Sequence, residues 1–146
     1  MSLALDLQQL IAARLSADDY FHGPPPITVL TEKAGDLVNK IEAALQKIGI
    51  GVLLVTPRME RAEGGPAYGV TVMAVITENL MVNQARSGTQ KSALDVADHI
   101  AALVDEWAPS DIWAPVRVEG LTLTEGEPTV VYQMPLQTHV LVLAES

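Results

Sequence analysis

Cysteine is absent from the 146-residue chain. Disulfides, thiolate metal sites and thiol nucleophiles are excluded together, and the redox compartment stays open. Aromatic residues are scarce, with two Trp, three Tyr and one Phe. The core therefore has to be built from Val, Leu, Ile, Ala and Met. Basic residues are also few: nine Lys and Arg stand against eighteen Asp and Glu, for a net charge of -9. General nucleic-acid binding needs clustered cations to neutralise phosphates, and so acidic a chain is poorly suited to it, although a local basic patch stays compatible with the composition. No apolar run approaches the length of a membrane span, and no basic stretch followed by an apolar block opens the sequence. The expectation is a soluble protein made in the cytoplasm.

What is present is a long apolar strand followed by an amphipathic helix, between Gly69 and Trp107. Val70, Val72, Ala74 and Ile76 share one face at period two, with Thr71, Met73, Val75 and Thr77 on the other. Both faces are partly apolar, which predicts a central strand. After a polar turn, Ala93, Val96, Ala97, Ile100, Leu103, Val104 and Trp107 recur at helical steps, with Asp95, Asp98, His99, Asp105 and Glu106 opposite. Ser92 and Asp95 have capping-box spacing, and Thr89 is a second candidate cap.

The remainder reads as one domain over 1–146, with an N-terminal helix and proline-rich link over 1–26 and a sheet-and-helix body over 27–146. Leu3, Leu7, Leu10, Ile11 and Leu15 stripe a helix over 3–16. Asp18 to Pro26, ending in three prolines, predicts extended chain. Ile27 to Leu30 reads as a short strand or as extended chain. A second helix is expected to open at Thr31 and stop at Gly49, with Leu37, Ile41, Ala44, Leu45 and Ile48 inward. Val52 to Val55 is a buried strand ended by Pro57, and Arg58 to Tyr68 reads as a hairpin tip or loop. Val116 and Val118 alternate, and the apolar phase shifts across Gly120 as a β-bulge would produce. Thr129 to Leu143 is a last long strand. Pro135 inside it predicts an edge, a bulge or a bend. The fold class is α+β: a mostly antiparallel sheet of about four strands packed against two to three helices.

Catalytic signatures are missing. His22, His99 and His139 have no second His at ligand spacing, and Asp95 with His99 on one helix is a thin metal signal beside the ordinary reading of a solvated face. Ser87 lies in no Gly-x-Ser-x-Gly elbow, and Glu63-Gly64-Gly65-Pro66 is followed by no phosphate-loop lysine. No cofactor, metal site or catalytic residue is assigned, and an enzyme is not expected. The candidate interaction residues are Arg58, Arg61, Arg86 and Lys91, in the loops flanking the long strand, and Leu80, Met81 and Val82, read as an exposed apolar arm continuing it.

In its order of elements the chain resembles the tail-terminator or tail-completion proteins of long-tailed bacteriophages, the Mu-type prophage family of small tail proteins in particular. The likeness lies in the helix Leu3–Leu15, the proline-rich link, the long strand, the acidic Ala-rich helix beginning at Ala93, and the closing strands Val116–Leu123 and Val130–Leu143. The second helix, Ala34–Ile48, with the strand Gly51–Thr56 points to the Mu-type branch. The resemblance implies a structural role. Such a protein caps the head-proximal end of the tail tube, often as a six-fold ring, with itself and tail-tube or head-joining proteins as partners. It would act in the bacterial cytoplasm during assembly and then in the virion tail, without membrane or specific nucleic acid. Segments 57–69 and 80–91 are where a long hairpin would project. The alternative is a small-molecule binding or regulatory α+β domain, recognisable by a closed apolar pocket with convergent polar groups.

Overall fold

The computed structural model describes residues 2–23, 26–61, 68–85, 91–126 and 128–140. The chain forms helix α1 (Leu3–Ser16), a short helix α2 (Asp19–His22), strand β1 (Thr28–Thr31), a 3-10 turn (Glu32–Ala34) and helix α3 (Leu37–Lys47). Strands β2 (Ile50–Arg61) and β3 (Tyr68–Asn79) follow, then helices α4 (Leu80–Ala85) and α5 (Ala93–Val104), and strands β4 (Arg117–Val118), β5 (Thr122–Glu125) and β6 (Thr129–His139). Among the described residues the sheet has six strands in the order β1-β2-β3-β6-β4, with β5 also on β6, and only the β1–β2 pair is parallel. The α+β class holds. The expected four strands are six, and the two to three helices are five, because short elements at the sheet margins leave little periodicity to read.

The sheet has two unlike faces. One carries Ile50, Val52 and Leu54 of β2, Val70, Val72, Ala74 and Ile76 of β3, and Met134 and Leu136 of β6, all buried. Leu7, Ile11 and Leu15 of α1 and Val96, Ala97, Ile100 and Val104 of α5 join this core, which is aliphatic as expected except that Phe21 and Trp113 are also buried in it. Each large aliphatic side chain buried there contributes about 1.5–3 kcal/mol. On the other face α3 crosses β2 at Gly51, where a Cβ would lie 2.8 Å from Ile41 Cδ1. Leu53, Val55, Met73, Val75, Val131 and Pro135 on this face are half-buried.

Several local expectations are corrected. Asp18 caps α2 by accepting the Tyr20 amide, so the segment before the prolines is not extended throughout; Pro24 and Pro25 lie outside the described residues. Helix α3 does not open at Thr31, which pairs with Leu54 in the sheet. Gly35 at φ 70° and Asp36 at φ 48° reverse the chain after the 3-10 turn, and the helix starts at Leu37. Pro57 does not end β2. The register slips between Val55 and Arg58, so three steps of β2 face two of β3, from Met73 to Thr71. That bulge absorbs the missing N–H, and the strand runs on to Arg61. The capping box of Ser92 and Asp95 is formed. Thr89 lies outside the described residues.

The closing strands also need revision. β6 is interior, paired with β3 on one side and with β4 and β5 on the other. Val118 faces Leu136 and Thr122 faces Gln133, so four steps on one strand oppose three on the other. The bulge expected at Gly120, whose φ is 125°, sits there. Pro135 lies opposite it and accepts the Glu119 amide at 3.0 Å. A residue's nitrogen and carbonyl point to the same side of a strand. Pro135 therefore aims its donor-less nitrogen at the irregular gap. Residues 141–143 of the expected last strand lie outside the described residues.

The outer side of β4 is closed by the chain leaving α5. Glu106 N donates to Val116 O at 2.6 Å, Val116 N to Trp107 O at 2.8 Å, and Val118 N to the Asp105 carboxylate at 3.0 Å. No helix among the described residues is long and apolar enough to cross a membrane.

Candidate functional site

Of the seven residues singled out in the sequence, the described ones do not form one surface. Arg58 and Arg61 lie in the outer half of β2, not in a loop. Arg58 pairs with Glu60 on the same strand, in solvent, where such a pair contributes little. The outer part of the β2–β3 hairpin extends beyond β1, which pairs only with residues Gly51 to Leu54 of β2. Met59 and Tyr68 near its end are 45% and 37% exposed. Leu80, Met81 and Val82 do not continue β3 as an arm; they turn into α4. Asn79 drives the turn by accepting the Val82 amide on its side-chain oxygen at 3.1 Å. Within α4, Met81 is 74% exposed, while Leu80 and Val82 are half-buried. Arg86 lies outside the described residues.

Lys91 is the clearest correction. It is 7% exposed, not a loop charge offered to a partner. Its ammonium donates to the Tyr20 carbonyl and lies 4.3 Å from the centre of the Tyr20 ring. Burial pulls its pKa down. The Tyr20 ring is stacked on His99, 3.6 Å between centroids at 10° between planes. Phe21 meets Tyr20 edge-on at 5.5 Å. The Tyr20 hydroxyl is buried without a hydrogen-bond partner among the described residues. Burial first, and then Asp95 and Asp98, push its pKa up to about 12.

Glu78 anchors the other side of this cluster. Its alternation places it on the buried face of β3, where it is buried like its apolar neighbours. One carboxylate oxygen accepts the Ala93 amide at 2.8 Å and the other accepts from the Asn83 side chain at 2.8 Å. Negative charge at the first turn of α5 complements the helix dipole. Asn83 also donates to the Lys91 carbonyl at 2.9 Å. Residues from α2, β3, α4 and α5 are thereby fastened together around the segment leading into α5. Chemically, the cluster is a clasp. A tyrosine with its pKa near 12 stays protonated at neutral pH and offers no base, and the carboxylate of Glu78 is committed to two donors. Neither Glu78 nor Asn83 was singled out by sequence. The available signal was a carboxylate in phase with Val70, Val72, Ala74 and Ile76.

A second buried polar group, Gln8 on α1, donates to Glu32 Oε1 and to Thr56 Oγ1, each at 2.7 Å. Its oxygen accepts the Glu32 amide at 2.9 Å, and Glu32 Oε1 also accepts the Thr56 amide at 2.9 Å. The network occupies the edge of β2 just past the end of β1.

No group of three His, Asp or Glu suited to a metal forms among the described residues. Surface clefts flank the sheet margins. One of about 390 Å³ lies between α1 and β1, lined by Gln9, Ala12, Ala13, Ser16, Val29 and Lys33 among others. One of about 300 Å³ lies on the opposite side of β1, against α3, lined by Thr28, Leu30, Lys40, Ala43 and Lys47 among others. A third of about 560 Å³ is lined by Asp105, Glu106, Arg117 and His139 among others. All three open to solvent. Compared with known proteins, the chain matches no family model and no curated protein.

Proposed function

We propose that the chain is a structural subunit of a phage or prophage tail, which assembles with copies of itself into a ring that caps the head-proximal end of the tail tube. Its partners are then itself and the tail-tube or head-joining proteins. Its mechanism is shape-matched capping without turnover. The observation that carries the reading is the outer half of β2, which runs past the end of β1 while β3 beside it stays paired with β6, and where Met59 and Tyr68 are exposed to solvent. A sheet edge that runs past its neighbour and carries exposed apolar side chains suits protein contact, since such edges are costly unless covered. The order of elements, with the long strand β3 followed after α4 by the acidic Ala-rich helix α5 and then by the strands β4, β5 and β6 that close the sheet, supports the tail resemblance.

The second reading, a small-molecule binding domain, draws on the open cleft of about 560 Å³ beside Arg117 and His139. It asks for an enclosed apolar site, which binds small ligands by burying most of their surface. The test between the two is translation of the DNA flanking the gene. Tube or sheath genes with a long Ala-rich tape-measure-like chain are expected. Metabolic or regulatory neighbours would overturn the tail reading.

A further inference from the structure

The two sheet margins of this subunit are complementary. β1 and β5 are both four residues long and lie at opposite ends of the same sheet. Among the described residues, neither pairs with a strand on its outer side. We propose that β5 of one copy adds to the free edge of β1 in the next, so that the sheet continues from subunit to subunit around a ring. The proposal deepens, and rests on, the ring reading above.

Alternation fixes what each side chain meets. Leu123 faces Tyr132, which faces Ile76, so Leu123 belongs to the face covered by α1 and α5. Val29 faces Val52 and belongs to the same face. A β5 strand laid beside β1 with the faces in common puts Leu123 next to Val29, in the α1–β1 cleft of about 390 Å³ walled by Ala12 and Ala13. Leu123 is 53% exposed in the free subunit, in a strand with all four residues exposed. Glu125 faces Val131, which faces Thr77, on the opposite face. It therefore meets the second cleft, which holds Lys40 and Lys47. Lysines border β1 on both sides in a chain of net charge -9, and a glutamate sits on the strand that would dock there. Because the two edges differ, the contact is heterologous, the kind that closes into a ring or extends as a filament. Paired like edges would instead stop at a dimer.

The absence of native cysteine gives a clean test. Val29→Cys and Leu123→Cys chains are prepared separately, mixed and oxidised. Cross-linking between the two variants, in excess over either variant alone, is expected. Cross-links confined to like pairs would overturn the proposal. Leu123→Asp leaves an already exposed position and should keep the fold, while weakening self-association at least ~tenfold through the lost apolar burial. Glu125→Lys and Lys40→Glu should each weaken it about threefold, and the pair together should restore it. An oligomer unchanged by Leu123→Asp would overturn edge pairing and leave the ring reading standing. A wild-type chain that never self-associates would overturn both.

Discussion

Lys91 holds Tyr20 from 71 positions away in the chain, its ammonium donating to the Tyr20 carbonyl and lying over the Tyr20 ring. A basic residue that looks like a surface contact in the sequence thus joins α2 to the start of α5. Lys91→Ala should destabilise the protein by about 1–3 kcal/mol, through an unsatisfied carbonyl and a lost cation–π contact. Denaturant unfolding measures this. An unchanged midpoint would show that the clasp contributes nothing.

The same ring gives a pH dependence. The Tyr20 pKa is about 12 in the folded chain against 10 in its absence. The folded value is the higher one, so its contribution to stability is complete below pH 10 and is lost as pH rises from there through about 12. Absorbance titration of the folded protein should show a late tyrosinate step that Tyr20→Phe removes. Retention of that step in the variant would assign it to another tyrosine.

Glu78→Ala removes the acceptor for the Ala93 amide and for the Asn83 side chain. The expected cost is about 3 kcal/mol, because two hydrogen bonds to a buried charge are lost. Hydrogen exchange should show it first in the opening turn of α5. Loss spread evenly over the whole sheet, with α5 no more affected than β3, would argue against the capping role.

Two glycines near α3 should respond differently to alanine. At Gly49, φ is 96° and a Cβ would lie 2.7 Å from the Asn83 backbone nitrogen. Gly49→Ala should therefore cost about 2–4 kcal/mol, from left-handed strain and a clash with backbone. At Gly51 the close atom is Ile41 Cδ1, the end of a movable side chain. Gly51→Ala should cost about 1–2 kcal/mol. Equal effects at the two sites in thermal unfolding would contradict this ordering.

The central elements were legible because their signals are long. β3 and α5 repeat their apolar positions over several turns or pleats, and the Ser92–Asp95 box marks where α5 begins. Pro57 misled, because it was read as a terminator while the fold places it at a bulge within β2; Pro135, read as an edge, a bulge or a bend, lies in an interior strand opposite the irregularity at Gly120. Leu80 to Val82 misled for a related reason, since apolar composition continues while Asn79 redirects the backbone. The clasp was hidden because its members come from four separate elements. Only Glu78, a charge in phase with a buried face, betrayed it. Gln8 gave no sign at all, since its partners Glu32 and Thr56 are 24 and 48 positions away.

The most direct test of the proposed role is the native mass of the purified wild-type chain over a wide concentration range, followed by electron microscopy of the assembled species, alone and with tail tubes. A closed ring of identical subunits that sits at one tube end is the predicted result. A chain that remains monomeric at every concentration and binds no tube end would contradict it.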